Sequence, residues 1–187
     1  MRRGFKAEAE RMSASAREAL GLAPLAPLSP WAYADHLGVL ILDFDSLNLE
    51  DSDRDQLVRN DPDAWSGLTL KVGKTYGIVI NPTHSQGRQC STLMHELSHI
   101  LLKHVPARVE VSTTGLMLLS DYSDDQEDEA DWLAAALLLP RESLLRARRS
   151  GHDSARISTD FGTSPQLCDW RLRMTGIDAQ LRRSRHG

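Results

Sequence analysis

An α+β fold with a small antiparallel or mixed sheet is predicted for this 187-residue chain, and three observations predict it. Apolar residues alternate with polar ones on either side of Gly73-Lys74, as in two paired strands. Three longer stretches, Phe5 to Leu20, Gly87 to Lys103 and Gln126 to Leu139, carry helical patterning bounded by Gly, Pro or polar stop signals. The length admits one compact domain with a real core and leaves little room for a second.

The elements follow in order. The Ala-, Glu- and Arg-rich stretch Phe5 to Leu20 predicts a first helix, stopped at Gly21. Leu22 to Pro30 holds three prolines and reads as a linker. Ser29 with Pro30 then starts a short helix that runs to Leu37 and ends at Gly38. Val39 to Phe44 has the length and apolar content of a strand, and the Asp-rich segment after it holds a short helix before Asn60. Leu68, Leu70 and Val72, then Tyr76, Ile78 and Ile80, predict a hairpin whose two-residue turn, glycine first, is of type II′. Asn81-Pro82 breaks the second strand, and a helix runs from about Gly87 to Lys103. Short strands are expected around Val109 and Leu116. A helix over Gln126 to Leu139 stops at Pro140, and two or three short helices broken at Gly151, Gly162 and Gly176 complete the chain. The expected organisation is an N-terminal helix and linker over 1–28, a catalytic domain over 29–140 and a helical tail over 141–187 packed on it.

Composition narrows the function classes. An apolar fraction of 41% with 26% charged residues is that of a globular protein, which excludes collagen-like and wholly disordered chains. A net charge of −4 gives no overall basic footprint, so direct nucleic-acid binding is not expected, although arginines gather over 141–149 and 171–185. No apolar run approaches the roughly 20 residues that cross a bilayer, and no secretory signal opens the chain, so a cytoplasmic address without membrane contact is expected. Cys90 and Cys168 fit that address as reduced thiols.

The chemistry lies in His95-Glu96-Leu97-Ser98-His99, an H-E-x-x-H pattern. Two histidines four apart on a helix differ by about 40° in direction, so both rings reach one ion. Zinc suits imidazole nitrogens and a carboxylate oxygen with one position left open, and Glu96 is placed to act as general base toward an attacking water. A third ligand is needed, and His104, Glu110, Glu127 and Glu129 are the candidates downstream. His104, five past His99, is expected to point away from the pair. Glu127 shares a helical stripe with Ala130, Ala134 and Leu138 and so is expected to face the core, with Glu129 as runner-up. Asp131, one turn beyond Glu127, is the expected carboxylate on the free ring nitrogen of His95 or His99. His84, Arg88 and Tyr122 are candidate donors to an oxyanion. The strand Tyr76 to Ile80 is a candidate to receive an extended peptide.

Taken together, His95 to His104 and the run from Glu127 through Ala130, Asp131 and Leu133 to Pro140 resemble the ImmA/IrrE family of metallopeptidases, whose pattern is HExGHxxxH followed by ExxAN-x-FAAxLLMP. The likeness covers roughly Leu20 to Pro140, with Ser98, Asp131 and Leu133 replacing the usual glycine, asparagine and phenylalanine. The resemblance implies a zincin-like fold, one zinc per chain, Glu127 as the third ligand, and a protein substrate that is a helix-turn-helix transcriptional repressor. A regulator that binds such a partner without hydrolysis is the alternative on the same scaffold. The segment from Ile157 to Leu172 loosely mimics a helix-turn-helix but is expected to pack on the catalytic domain.

Overall fold

The structure, a computed structural model, describes residues 1–47, 49–111 and 117–184. The first helix, α1 (Phe5–Ala19), and the short α2 (Pro30–His36) begin the chain, the latter with the Ser29 hydroxyl accepting from Ala32 N. Strand β1 (Leu40–Leu42) is half the expected length, because the chain leaves it for a 3₁₀ turn at Phe44–Ser46. Helix α3 (Asp51–Asp55) runs into a π turn over Gln56–Asn60. The hairpin of β2 (Gly67–Val72) and β3 (Thr75–Ile80) turns at Gly73, whose φ of 59° is left-handed, as a type II′ turn requires of its first central residue.

Helix α4 (Gln86–Leu102) is followed by β4 (Arg108–Val111) and β5 (Met117–Ser120). The expected strand centre at Leu116 lies outside the described residues. Helix α5 (Asp124–Leu138) starts two residues earlier than its apolar pattern, because Ser123 and Gln126 form a reciprocal capping box ahead of the first apolar turn. The described residues of the tail form four helices rather than two or three: α6 (Arg141–Arg149), α7 (Ser154–Phe161), α8 (Pro165–Thr175) and α9 (Ile177–Ser184).

The sheet is mixed, in the order β1-β3-β2-β5-β4, with β1 parallel to β3 and every other pair antiparallel. A two-residue turn pairs Thr69 with Ile78 and Lys71 with Tyr76, so the apolar sets of β2 and β3 lie on opposite faces. The face toward α4 carries Thr69 and Ile78, both buried. Leu68, Leu70 and Val72 are therefore on the outer face, where Val72 is 53% exposed. Helix α4 packs on β2 and β3, α5 packs on α4, and α1 packs on α5. The core among them holds Phe5, Ile78, Leu93, Leu97, Leu133 and Leu137.

Arg17 on α1 is buried and donates to backbone oxygens and one hydroxyl: Ala26 O, Ser13 O, Ser13 Oγ and Leu137 O. It joins α1 to the linker and to the end of α5. On the tail side, Arg171 donates to Leu139 O and pairs with Glu10. A Cβ on Gly87 would lie 2.8 Å from Thr163 O, so the turn between α7 and α8 is pressed onto the start of α4.

Candidate metal centre

His95 and His99 stand one turn apart on α4 because its apolar residues Leu93, Met94 and Leu97 bury the adjoining stripe under α5 and the sheet. Their Nε2 atoms lie 3.0 Å apart. Glu127, in the first turn of α5, brings Oε2 to 3.2 Å from His95 Nε2 and 3.7 Å from His99 Nε2. A tetrahedral site with arms of about 2.0–2.1 Å has donor atoms roughly 3.3 Å apart. The three separations bracket that edge, and two imidazole nitrogens with one carboxylate oxygen are the donor set of a catalytic metal with one open vertex. The residues fit a divalent ion.

Glu127 reaches this position from the rim and not from the core. Its side chain is 44% exposed, whereas Glu129 is 9% exposed and is held by Arg2. The expectation of a core-facing Glu127 is corrected here: the first turn of α5 overhangs α4, and only from Glu129 onward does the helix enter the core.

The surroundings set the charges. Burial presses His95 toward the neutral form, but hydrogen bonds to Asp131 and Glu127 outweigh it and raise its pKa. At His99 burial dominates and the neighbouring His95 adds to it, so that ring is held neutral. The His95 bond draws Glu127 below its ordinary value. Asp131 Oδ1 lies 2.8 Å from His95 Nδ1, an arrangement that orients the ring with its Nε2 toward Glu127.

Glu96 lies on the sheet side of α4, where burial raises its pKa and the Thr69 hydroxyl donates to one of its oxygens. Gly67 makes room for it: a Cβ there would lie 2.8 Å from Thr92 Cγ2 and 3.4 Å from Glu96 Cγ. Neither residue is singled out by the sequence reading. Thr69 was hidden because Leu68, Leu70 and Val72 look like the buried face of β2, yet the two-residue turn carried the signal that inverts it.

Of the three candidate oxyanion donors, the structure brings one to the site. Tyr122 stacks on His99 with ring centroids 3.8 Å apart, and burial together with Glu96 and Glu127 pushes its hydroxyl up to about 12. It remains a proton donor at neutral pH. Arg88 binds Asp63 and Ser66, and His84 sits beside Asn81 and Asp63. Arg88 stands two turns before Glu96, about 12 Å along the axis at 1.5 Å per residue, so neither it nor His84 is among the groups around the ligands.

Two further expectations are corrected. His104 does not point away, because Lys103 leaves α4 in the left-handed region and turns the chain back, placing His104 Nδ1 3.0 Å from His99 Nδ1. The strand Tyr76 to Ile80 cannot take on a peptide, since β1 and β2 occupy its two edges. The free edges of the sheet belong to β1 and β4.

Compared with known proteins, residues 34–173 match the family model described as the IrrE N-terminal-like domain, a peptidase family. No curated protein and no solved structure matches the chain.

Proposed function

The chain belongs to the IrrE N-terminal-like domain family of peptidases, the ImmA/IrrE family, and on that premise we propose that it is a zinc-dependent endopeptidase that hydrolyses a peptide bond in a protein partner. The observation that carries the reading is the meeting of His95 Nε2, His99 Nε2 and Glu127 Oε2 at the spacing of a tetrahedral site, with Glu96 next to them. His95, His99 and Glu127 would hold the zinc. When bound, zinc supplies Lewis acidity, which acidifies water and polarises a carbonyl.

The chain's own groups have separable tasks. Glu96 takes the proton of the attacking water on its carboxylate and returns it to the leaving amine. Thr69 holds that carboxylate in place through its hydroxyl. Tyr122 keeps its phenolic proton and offers it to the developing oxyanion. Asp131 holds the Nδ1 side of the His95 ring, so that its Nε2 stands beside Glu127 and would be the nitrogen that ligates.

The proposed partner is a helix-turn-helix transcriptional repressor, a substrate class that rests on the resemblance of the two motifs, and the proposed setting is the cytoplasm. No described helix is long and apolar enough to cross a membrane. The tail is not proposed as a DNA reader, because the turn before α8 is pressed onto α4 at Gly87. The test is incubation of the zinc-loaded protein, wild type and Glu96→Gln, with repressors encoded beside its gene. Glu96→Gln is expected to keep its zinc and lose cleavage by at least about a hundredfold, the scale of general-base catalysis. Equal derepression by both forms without any cut product would overturn hydrolysis in favour of regulation by binding.

A further inference from the structure

We infer that His104 and Glu129 form a positioning chain behind the ligand His99, in which the His104 ring accepts the Nδ1 proton of His99 and turns its own proton toward Glu129. The inference rests on the metal-holding reading of the site. It begins from two ring nitrogens, His99 Nδ1 and His104 Nδ1, 3.0 Å apart. At that distance one nitrogen carries a proton and the other offers a lone pair.

Ligation decides which is which. A metal held at His99 Nε2 takes the lone pair there, so the proton of that ring stands on Nδ1. His104 must then present a bare Nδ1 and carry its proton on Nε2. That Nε2 is buried and, among the described residues, has no hydrogen-bond partner, while Glu129 Oε2 lies 3.7 Å from it. The distance exceeds a hydrogen bond, so Glu129 acts on the ring as a nearby charge. Glu129 is itself fixed: Arg2 N donates to Oε1 at 2.8 Å, and the Arg2 guanidinium lies 3.3 Å from Oε2.

The backbone places this chain. Continued as a helix, residue 104 would lie about 140° round the axis from His99. Lys103 instead adopts φ 54° and ψ 40°, and His104 N donates to His99 O at 3.0 Å, which folds the ring back against its neighbour. The two ligand rings are thus supported differently. His95 leans on Asp131, an exposed carboxylate, whereas His99 leans on the buried ring of His104, whose Nδ1 cannot compete for the metal while it accepts that proton.

The experiment reads tautomers and zinc affinity in the full chain. Long-range ¹H–¹⁵N spectra of the zinc-loaded, histidine-labelled protein are expected to show His99 protonated at Nδ1 and His104 protonated at Nε2. Zinc affinity, measured by competition with a chromophoric chelator, is expected to fall ten- to a hundredfold in His104→Leu. His104→Asn, whose side-chain oxygen stands near the lost Nδ1, is expected to recover most of that loss. His104 protonated at Nδ1, His104 found as a ligand, or His104→Leu binding zinc as tightly as wild type would each overturn the inference and leave the peptidase reading standing. A wild-type chain that takes up no zinc overturns both. If His104→Leu does not fold, the wild-type tautomers decide.

Discussion

At the scale of single residues, the site divides into groups that bind and groups that aim. Thr69 belongs to the second kind, since its hydroxyl is a donor to Glu96 from the neighbouring strand. A hydrogen bond to a charged group contributes about 1.5–3 kcal/mol, which corresponds to roughly tenfold or more in rate when it orients a base. Thr69→Val is therefore expected to lower kcat by about tenfold with zinc content unchanged, measured by turnover and metal analysis on the same samples. The two cysteines carry a different expectation. Burial pushes both thiols from 9.0 up to about 11. Below pH 9 folded and unfolded chains both keep these protons, but between about 9 and 11 only the unfolded chain ionises, so the fold loses stability as pH rises. Denaturant titrations at pH 8 and pH 10 check it, and replacing both cysteines by alanine is expected to shrink the difference, the raised Tyr33 and Tyr122 hydroxyls accounting for part of what is left.

At the scale of elements, much of the site is legible because the chemistry is local. His95, Glu96 and His99 lie within five consecutive positions, and their spacing means the same thing in any helix. Asp131 is legible as one helical turn beyond Glu127 and Tyr122 as lying just before that helix, and the structure places both against the histidines. His104 is not legible, because helical geometry stops applying at Lys103, where the backbone turns left-handed, a change that nothing in the side chain of a lysine announces. The surroundings of Glu127 are not legible, because a stripe shared with alanines says nothing of where a helix first meets its neighbour. That first turn depends on its cap. Ser123 accepts from Gln126 N while the Gln126 side chain accepts from Ser123 N. Ser123→Ala is expected to cost about 1 kcal/mol by thermal or chemical unfolding. Because Glu127 sits within the frayed turn, zinc affinity is expected to drop along with it, which chelator competition measures.

At the scale of the whole molecule, the order of layers, sheet then α4 then α5 then α1, could not be read from periodicity. Patterns give each element a buried side but not the partner that covers it. The sheet order is a case in point: β2 lies between β3 and β5, so the hairpin is an interior pair, and the strands around Val109 and Met117 complete the sheet at one edge. The apolar core passes through all these layers without needing the ion. Zinc removal by a chelator is therefore expected to lower Tm while leaving the far-ultraviolet circular dichroism of the folded state nearly unchanged. Zinc at a hundred times its Kd is expected to restore about 2.7 kcal/mol of stability.

Arg17 has a consequence for how the protein comes to be made. Its guanidinium finds one of its oxygen acceptors at Leu137, 120 positions further along the chain. A ribosome adding about 5–20 residues per second needs roughly 6–24 s to cover that distance. For that interval α1 lacks α5, the helix it packs on, although Arg17 already has Ser13 and Ala26 within reach. Helix α1 therefore takes its final seat only once the helix that bears Leu137 has left the exit tunnel.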